Sequence, residues 1–148
     1  MLRGTDKKNN IRNRTMCFLN SQGPLPGMDF AAPDVYLQTT PVGPVPVPLM
    51  SMGMRASEIP TAFKFLIMCM PSHNMTNNAP VTISGPGPGV ASGMVCSSSR
   101  NMKGSTKLMV GPMPATRSLL DPTMQNGMTP NSVGTTLAPS QIKVISLA

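Results

Sequence analysis

The amino-acid sequence predicts an all-β protein of short strands with little helix, and three observations carry that prediction. The 148 residues include 17 Pro and 13 Gly, which recur too often for long helices because both residues interrupt helical runs. The stretch "PVGPVPVPLMSMGM", residues 41 to 54, sets Pro44, Pro46 and Pro48 around Val45 and Val47. The fixed φ and missing N–H of proline make that stretch extended. Finally, three apolar runs of β-forming residues each follow a lysine: "KFLI" from Lys64, "KLMV" from Lys107 and "KVIS" from Lys143.

Along the chain, residues 1 to 28 read as a basic, solvated N-terminal extension and residues 29 to 148 as one domain. In the first 20 residues Arg3, Lys7, Lys8, Arg12 and Arg14 stand against Asp6, which accounts for four of the net charge of +7. In the proline stretch, alternate residues aim their N–H groups at the same edge. Pro44, Pro46 and Pro48 therefore silence one edge, while Val45 and Val47 still donate on the other and are candidate partner contacts. Lys64 to Met68, Lys107 to Val110 and Lys143 to Leu147 are predicted strands. Each lysine is preceded by a small hydroxyl residue, Thr61, Ser105 or Ser140, and the first two runs leave through "MPSHN" and "MPATR". These are three copies of one unit, joined by connectors rich in Gly-Pro and Asn-Gly turns.

Composition narrows the function. With 40% hydrophobic residues the chain is not disordered by composition, yet 3% aromatics and no Trp promise a thin core. The 15 Met are suited to filling an irregular interior or an adaptable contact surface. The longest apolar run, Phe65 to Met70, is far short of the roughly 20 residues of a membrane helix. No apolar signal region follows the charged start, so residence in the cytoplasm without a standard export signal is expected. Three cysteines, Cys17, Cys69 and Cys96, do not suggest a disulfide framework. With His73 as the one possible imidazole base and five acidic residues, catalytic machinery is scarce and no enzyme is expected. Beyond the N-terminal arm there is no basic cluster with stacking aromatics, so nucleic acid is not expected as a partner. "GPGPGVASG" at 85 to 93 lacks the Gly-Lys-Ser/Thr of a phosphate loop and reads as a turn.

"PDV" at 33 to 35, "TPVGPVPVP", "MPSHN", "GVASG", "MPATRSLLDPTMQNG" and "TTLAPSQIKV" together resemble the PAAR-like spike-tip proteins of type VI secretion and related contractile injection systems. The resemblance runs from about Pro33 to Ala148. The family motif Pro-Ala-Ala-Arg is met, one residue different, by Pro114-Ala115-Thr116-Arg117, with Pro71-Ser72-His73-Asn74 as a more distant echo. The resemblance implies a small conical fold of short strands that caps and sharpens a trimeric, VgrG-like spike, one tip per trimer. It further implies aid in membrane puncture, transient contact with the target membrane, effector or adaptor proteins as passengers, and secretion on the particle without a signal peptide. Three internal copies suit a single chain that faces a threefold object.

Leu66, Met109 and Val144 join Val45 and Val47 as candidate partner contacts, and Pro71, His73, Pro114 and Arg117 join the three strand prolines as structural positions. Pro114 is expected to begin a turn and Arg117, with its planar fork, to tie backbone carbonyls there, or else to be an ordinary surface arginine. Many relatives hold zinc with three His and one Cys, a set this chain cannot supply with one His. A substitute from Cys69, His73 and Cys96, with Cys17 or a carboxylate as fourth ligand, has acceptable chemistry; the alternatives are a turn histidine and cysteines as small apolar fillers. No cofactor is expected otherwise. Two other functions stay open: a small effector or enzyme carried by the same machine, and a basic nucleic-acid-binding protein.

Overall fold

A computed structural model describes residues 16–147. Its strands are β1 (Met16–Phe18), β2 (Met28–Thr40), β3 (Gly43–Met54), β4 (Leu66–Ile67), β5 (Met70–Pro71), β6 (Asn78–Ala79), β7 (Thr82–Ile83), β8 (Ser99–Asn101), β9 (Met109–Val110), β10 (Met113–Pro114), β11 (Pro122–Gln125), β12 (Ser132–Ala138) and β13 (Ile145–Leu147). Among the described residues the helical content is one 3-10 turn, Arg55–Ser57. The protein is all-β, as the proline and glycine spacing dictates. One sheet has the order β6-β8-β11-β12-β2-β3-β7, and β4-β5, β9-β10 and β1-β13 form separate two-stranded ladders.

The long β2–β3 hairpin is the spine. It pairs in antiparallel register from Met28 opposite Met54 to Thr40 opposite Gly43, with a register shift between Ala31 and Asp34. Pro46 stands opposite Leu37, and Val45 and Val47 stand opposite Gln38 and Tyr36. Because proline cannot donate, the N–H groups that meet β2 in this half belong to the valines, and the prolines turn their nitrogens to the outer edge. That edge is silenced. The far edge of β2 is covered differently: Leu37 N–H donates to Pro88 O (2.9 Å) and Val90 N–H donates to Val35 O (3.0 Å). "GPGPGV" is thus a strap laid on β2 rather than a bare turn. Its glycines are required for contact, since a Cβ on Gly87 would lie 1.9 Å from Leu37 O and one on Gly85 would meet the Tyr36 ring at 2.8 Å. Asn131 anchors the strap: its Oδ1 accepts from Ala91 N–H (2.8 Å), and its Nδ2 donates to Val35 O (2.8 Å) and to the Asp34 carboxylate. The Tyr36 hydroxyl donates to the same carboxylate. Burial, reinforced by that acceptor, pushes the tyrosine pKa up to about 12.

One expectation is corrected and one of two open alternatives is removed. Residues 16 to 28 are not an extension, because β1 pairs with β13 and the following residues bridge other parts of the body; residues 1 to 15 of the expected extension lie outside the described residues. The methionines do not fill the interior either: of those described, Met124 alone is buried. The largest fully buried side chains are headed by Arg55, Tyr36, His73, Gln125, Gln141 and Glu58. A chain with few aromatics and many tight turns places polar side chains inside, where they satisfy the backbone and one another.

Candidate functional site

Three segments converge on one ring: Phe18–Ser21, Pro71–Asn74 and Pro114–Arg117. The fourth residue of each bridges the second residue of the next, as Asn74 with Ala115, Arg117 with Leu19, and Ser21 with Ser72. The third residues close a triangle of backbone hydrogen bonds: His73 N–H to Asn20 O (3.0 Å), Asn20 N–H to Thr116 O (2.9 Å), and Thr116 N–H to His73 O (3.3 Å). The second residues each donate to the residue after the repeat lysine, Ser72 to Phe65, Ala115 to Leu108 and Leu19 to Val144. The residues following each segment repeat the pattern once more, Gln22 to Pro71, Met75 to Pro114 and Ser118 to Phe18. Each relation occurs three times, so the pseudo-threefold repeat is real in space.

The third copy is assembled from both ends of the chain. In the first two copies a hairpin returns directly, pairing Leu66 with Pro71 and Met109 with Pro114. In the third, Ile145 pairs with Phe18 and Ser146 with Cys17. The strands are shorter than predicted because each lysine precedes its ladder by two residues. Before two of them a side chain caps the run: Ser105 Oγ accepts from Leu108 N–H (3.1 Å), and Gln141 Oε1 accepts from Lys143 and Val144 N–H (both 2.8 Å). Pro71 and Pro114 are the last residues of β5 and β10, each in the outer pair of its ladder.

Beside the ring the copies present matching side chains to solvent. Lys64, Lys107 and Lys143 are exposed, followed by Phe65, Leu108 and Val144, then by Leu66, Met109 and Ile145, all exposed. An open bowl of about 540 Å³ takes lining residues from all three copies, with Phe65, Leu108 and Val144 among its walls and Leu19, Ile67 and Val110 buried beneath. The candidate contacts Leu66, Met109 and Val144 meet here. Val45 and Val47 do not; they belong to the β2–β3 hairpin.

A buried ionic cluster lies behind the ring. Arg55, fully buried, donates through Nε to Asp29 (2.8 Å), through Nη1 to Asn101 (2.6 Å) and to Glu58, and through Nη2 to Thr136 (2.8 Å). Thr136 Oγ1 in turn donates to Asp29 (2.7 Å). Glu58 reaches the ring, its Oε2 lying 2.8 Å from His73 Nδ1, close in distance though off the axis of an ideal hydrogen bond. Burial alone would raise the Glu58 carboxyl, but Arg55 and His73 outweigh it and hold the pKa below its ordinary value. At Asp29 burial prevails over the attraction of Arg55, and the pKa is raised. The sequence offered no spacing signal for this cluster, whose members are drawn from four separate segments. Arg117 is buried, but its fork grips a carboxylate rather than carbonyls: Nε and Nη2 donate to Asp121 at 3.1 and 2.8 Å, and its own N–H donates to Asp121 at 2.8 Å.

The zinc candidates do not come together. Among the described residues no group of three or more His, Cys, Asp and Glu is placed to hold a metal. His73 faces Glu58, Cys69 is exposed between β4 and β5, Cys96 accepts from Ser84 Oγ, and Cys17 is buried in β1. These residues do not fit a zinc site.

A β domain with a closed internal threefold and a Pro-Ala-Thr-Arg segment in its ring has a PAAR-like architecture. The chain matches the Toxin PAAR-like domain family over residues 27–132 and belongs to that family. No curated protein and no solved structure matches it. Membership points to a spike-tip or toxin-related role in contractile injection systems. The matched segment stops short of Phe18–Ser21 and of β13, the two pieces that complete the third copy.

Proposed function

We propose that this domain caps the end of a trimeric, VgrG-like spike, one copy per trimer, and so forms the leading tip of a contractile injection machine. The observation that carries this reading is the threefold repeat, in which an exposed lysine and two exposed apolar residues recur in each copy and a bowl is lined by Phe65, Leu66, Leu108, Met109 and Val144 from all three. A single chain has reason to present three equivalent patches when its partner presents three equivalent subunits. The exposed apolar surface and the bowl suit an interface with an apolar centre, and the lysines suit a polar rim that meets acidic groups.

In the same reading the domain assembles on the spike in the cytoplasm, leaves on the particle without a signal peptide, and helps to deliver an effector or adaptor. The toxin association in the family's description supports that last part. The domain itself is proposed to be non-catalytic and without a metal, with His73 acting structurally through Glu58. Mass measurement of the complex reconstituted with a spike trimer tests the cap: one chain to three is expected, and three to three would refute it. Leu66→Asp with Met109→Asp should abolish the complex while leaving the purified domain folded.

A further inference from the structure

We infer that a pocket lined from β8, β10 and β11 binds a small organic anion, a carboxylate carried on an apolar body. The pocket has a volume of about 320 Å³, at the small end of the range for ligand sites. Met75, Met102, Met113 and Met124 wall it, with Arg100 and Asn101 beside them. The fold sets these walls: Arg100 stands opposite Met124 in the β8–β11 register, Met75 N–H donates to Pro114 O (3.0 Å), and Met102 N–H donates to Pro122 O (2.8 Å). The pocket shares no residue with the bowl, so the inference is independent of the spike-cap reading.

Charge identifies the ligand. Arg55 is held by Asp29 and Glu58, and Arg117 by Asp121. Arg100 is half-buried, pairs with no carboxylate among the described residues, and has a buried Nε without an acceptor. The chain has no acid to spare for it. No Asp or Glu occurs from Ile59 to Leu120, which furnishes every wall residue but Met124, and Asp29, Asp34, Glu58 and Asp121 are all buried in contacts of their own. Asn78, opposite Arg100 on β6, leaves its own Oδ1 without a partner, so the two do not satisfy one another. Asn101, 3% exposed, gives its Oδ1 to Arg55 and leaves its Nδ2 without an acceptor. Buried donors in this state are costly, above all on a charged group, and an anion from outside relieves them. The thioether walls narrow its chemistry. A neutral apolar ligand would leave Arg100 unpaired, inorganic phosphate would set a hydrated anion against sulfur and methyl groups, and a metal cation would meet the guanidinium charge. A carboxylate joined to an apolar group satisfies both halves of the pocket, and an aromatic group suits it best, through sulfur–ring contacts with the methionines.

The probe is phenylacetate, titrated into the full chain labelled at its methionine methyl groups and followed by NMR at neutral pH in about 0.15 M salt, where diffuse surface attraction is screened. We expect saturable, one-site shifts at Met75, Met102, Met113 and Met124, and binding at least about tenfold weaker both for phenylacetamide and in Arg100→Gln. Arg100→Gln should keep the circular dichroism of the parent, and the comparison of acid with amide in the parent decides the matter even where that variant fails to fold. The same chemistry occurs in a free apolar acid and at the end of a peptide chain. An acetylated Gly-Phe peptide with a free C-terminus that binds at least about tenfold tighter than phenylacetate would name a chain terminus as the source, and one that binds more weakly would name a free acid. The variant Leu66→Asp with Met109→Asp, which removes the proposed spike contact, should bind phenylacetate like the parent, so failure of the cap leaves the pocket standing. Equal binding of phenylacetate and phenylacetamide would overturn the inference. So would undiminished binding in a folded Arg100→Gln, or shifts confined to Met109, which would move the ligand to the bowl.

Discussion

Replacing Arg55 with Met probes how far the interior depends on buried charge. Arg55 is fully buried and holds Asp29, Glu58, Asn101 and Thr136 at once. Met fills much of the same space but leaves two carboxylates close together in the interior without their cation. Breaking a buried ion pair by removing one partner costs about 3–5 kcal/mol, most of it the stranded charge. For a chain of this size 1 kcal/mol corresponds to about 3 °C, so the melting temperature at pH 7 should fall by about 12 °C. The pH dependence separates stranded charge from poor packing. In the parent, the lowered pKa of Glu58 gives stability that is present above its ordinary 4.5 and lost as the pH falls through the lower folded value. Asp29, with a raised pKa, works the other way and gains stability as the pH falls through its folded value. Without Arg55 burial governs Asp29 and is opposed only by His73 at Glu58, so both carboxyls should move toward protonation, and the deficit of the variant should narrow between pH 7 and 5. Thermal melts across that range measure it. If Arg55→Met melts within 3 °C of the parent at pH 7, or if its deficit is the same at pH 5, the charge argument is wrong. Adding Asp29→Asn and Glu58→Gln to Arg55→Met should restore part of the loss, since no charge is then stranded.

Gly87→Ala should unseat the strap, because its Cβ would fall 1.9 Å from Leu37 O; a loss of about 1–3 kcal/mol in urea unfolding is expected, with faster hydrogen exchange at Leu37. Arg117→Lys keeps the charge but gives up the two-pronged grip on Asp121, and should lower stability by about 1–3 kcal/mol; a melt unchanged in both the Lys and Ala variants would show that the arginine is not holding the ring. Removal of residues 1–21 deletes the third return segment, and loss of a single cooperative melting transition is expected. A truncated chain that melts like the parent would mean that Phe18–Ser21 does not close the ring.

The features legible in the sequence share a physical basis: each is enforced by residues adjacent in the chain. Pro44, Pro46 and Pro48 could be read as a silenced edge because the fixed φ and absent N–H act at the proline itself, and the register with β2 leaves them on the outside. The copies at Lys64 and Lys107 could be read because each returns on itself within a few residues, Ile67 pairing with Met70 and Val110 with Met113. The third copy could be read only as far as Lys143. Its return strand, Cys17-Phe18, stands at the opposite end of the chain and shares neither the Met-Pro pair nor a turn with it. The available signal was a deficit: a third run with no exit segment after it, in a unit that elsewhere always has one. The same reasoning explains why Glu58 and Arg55 were missed. Their meaning lies in Asp29, Asn101 and His73, which the ring and the main sheet bring to them, and a lone Arg or Glu between a strand and a turn is normally a solvated residue. Where a chain has too few large apolar residues to build its interior, the polar contacts that replace them are long-range. What such a sequence displays openly is its edges and turns, and what it withholds is its core.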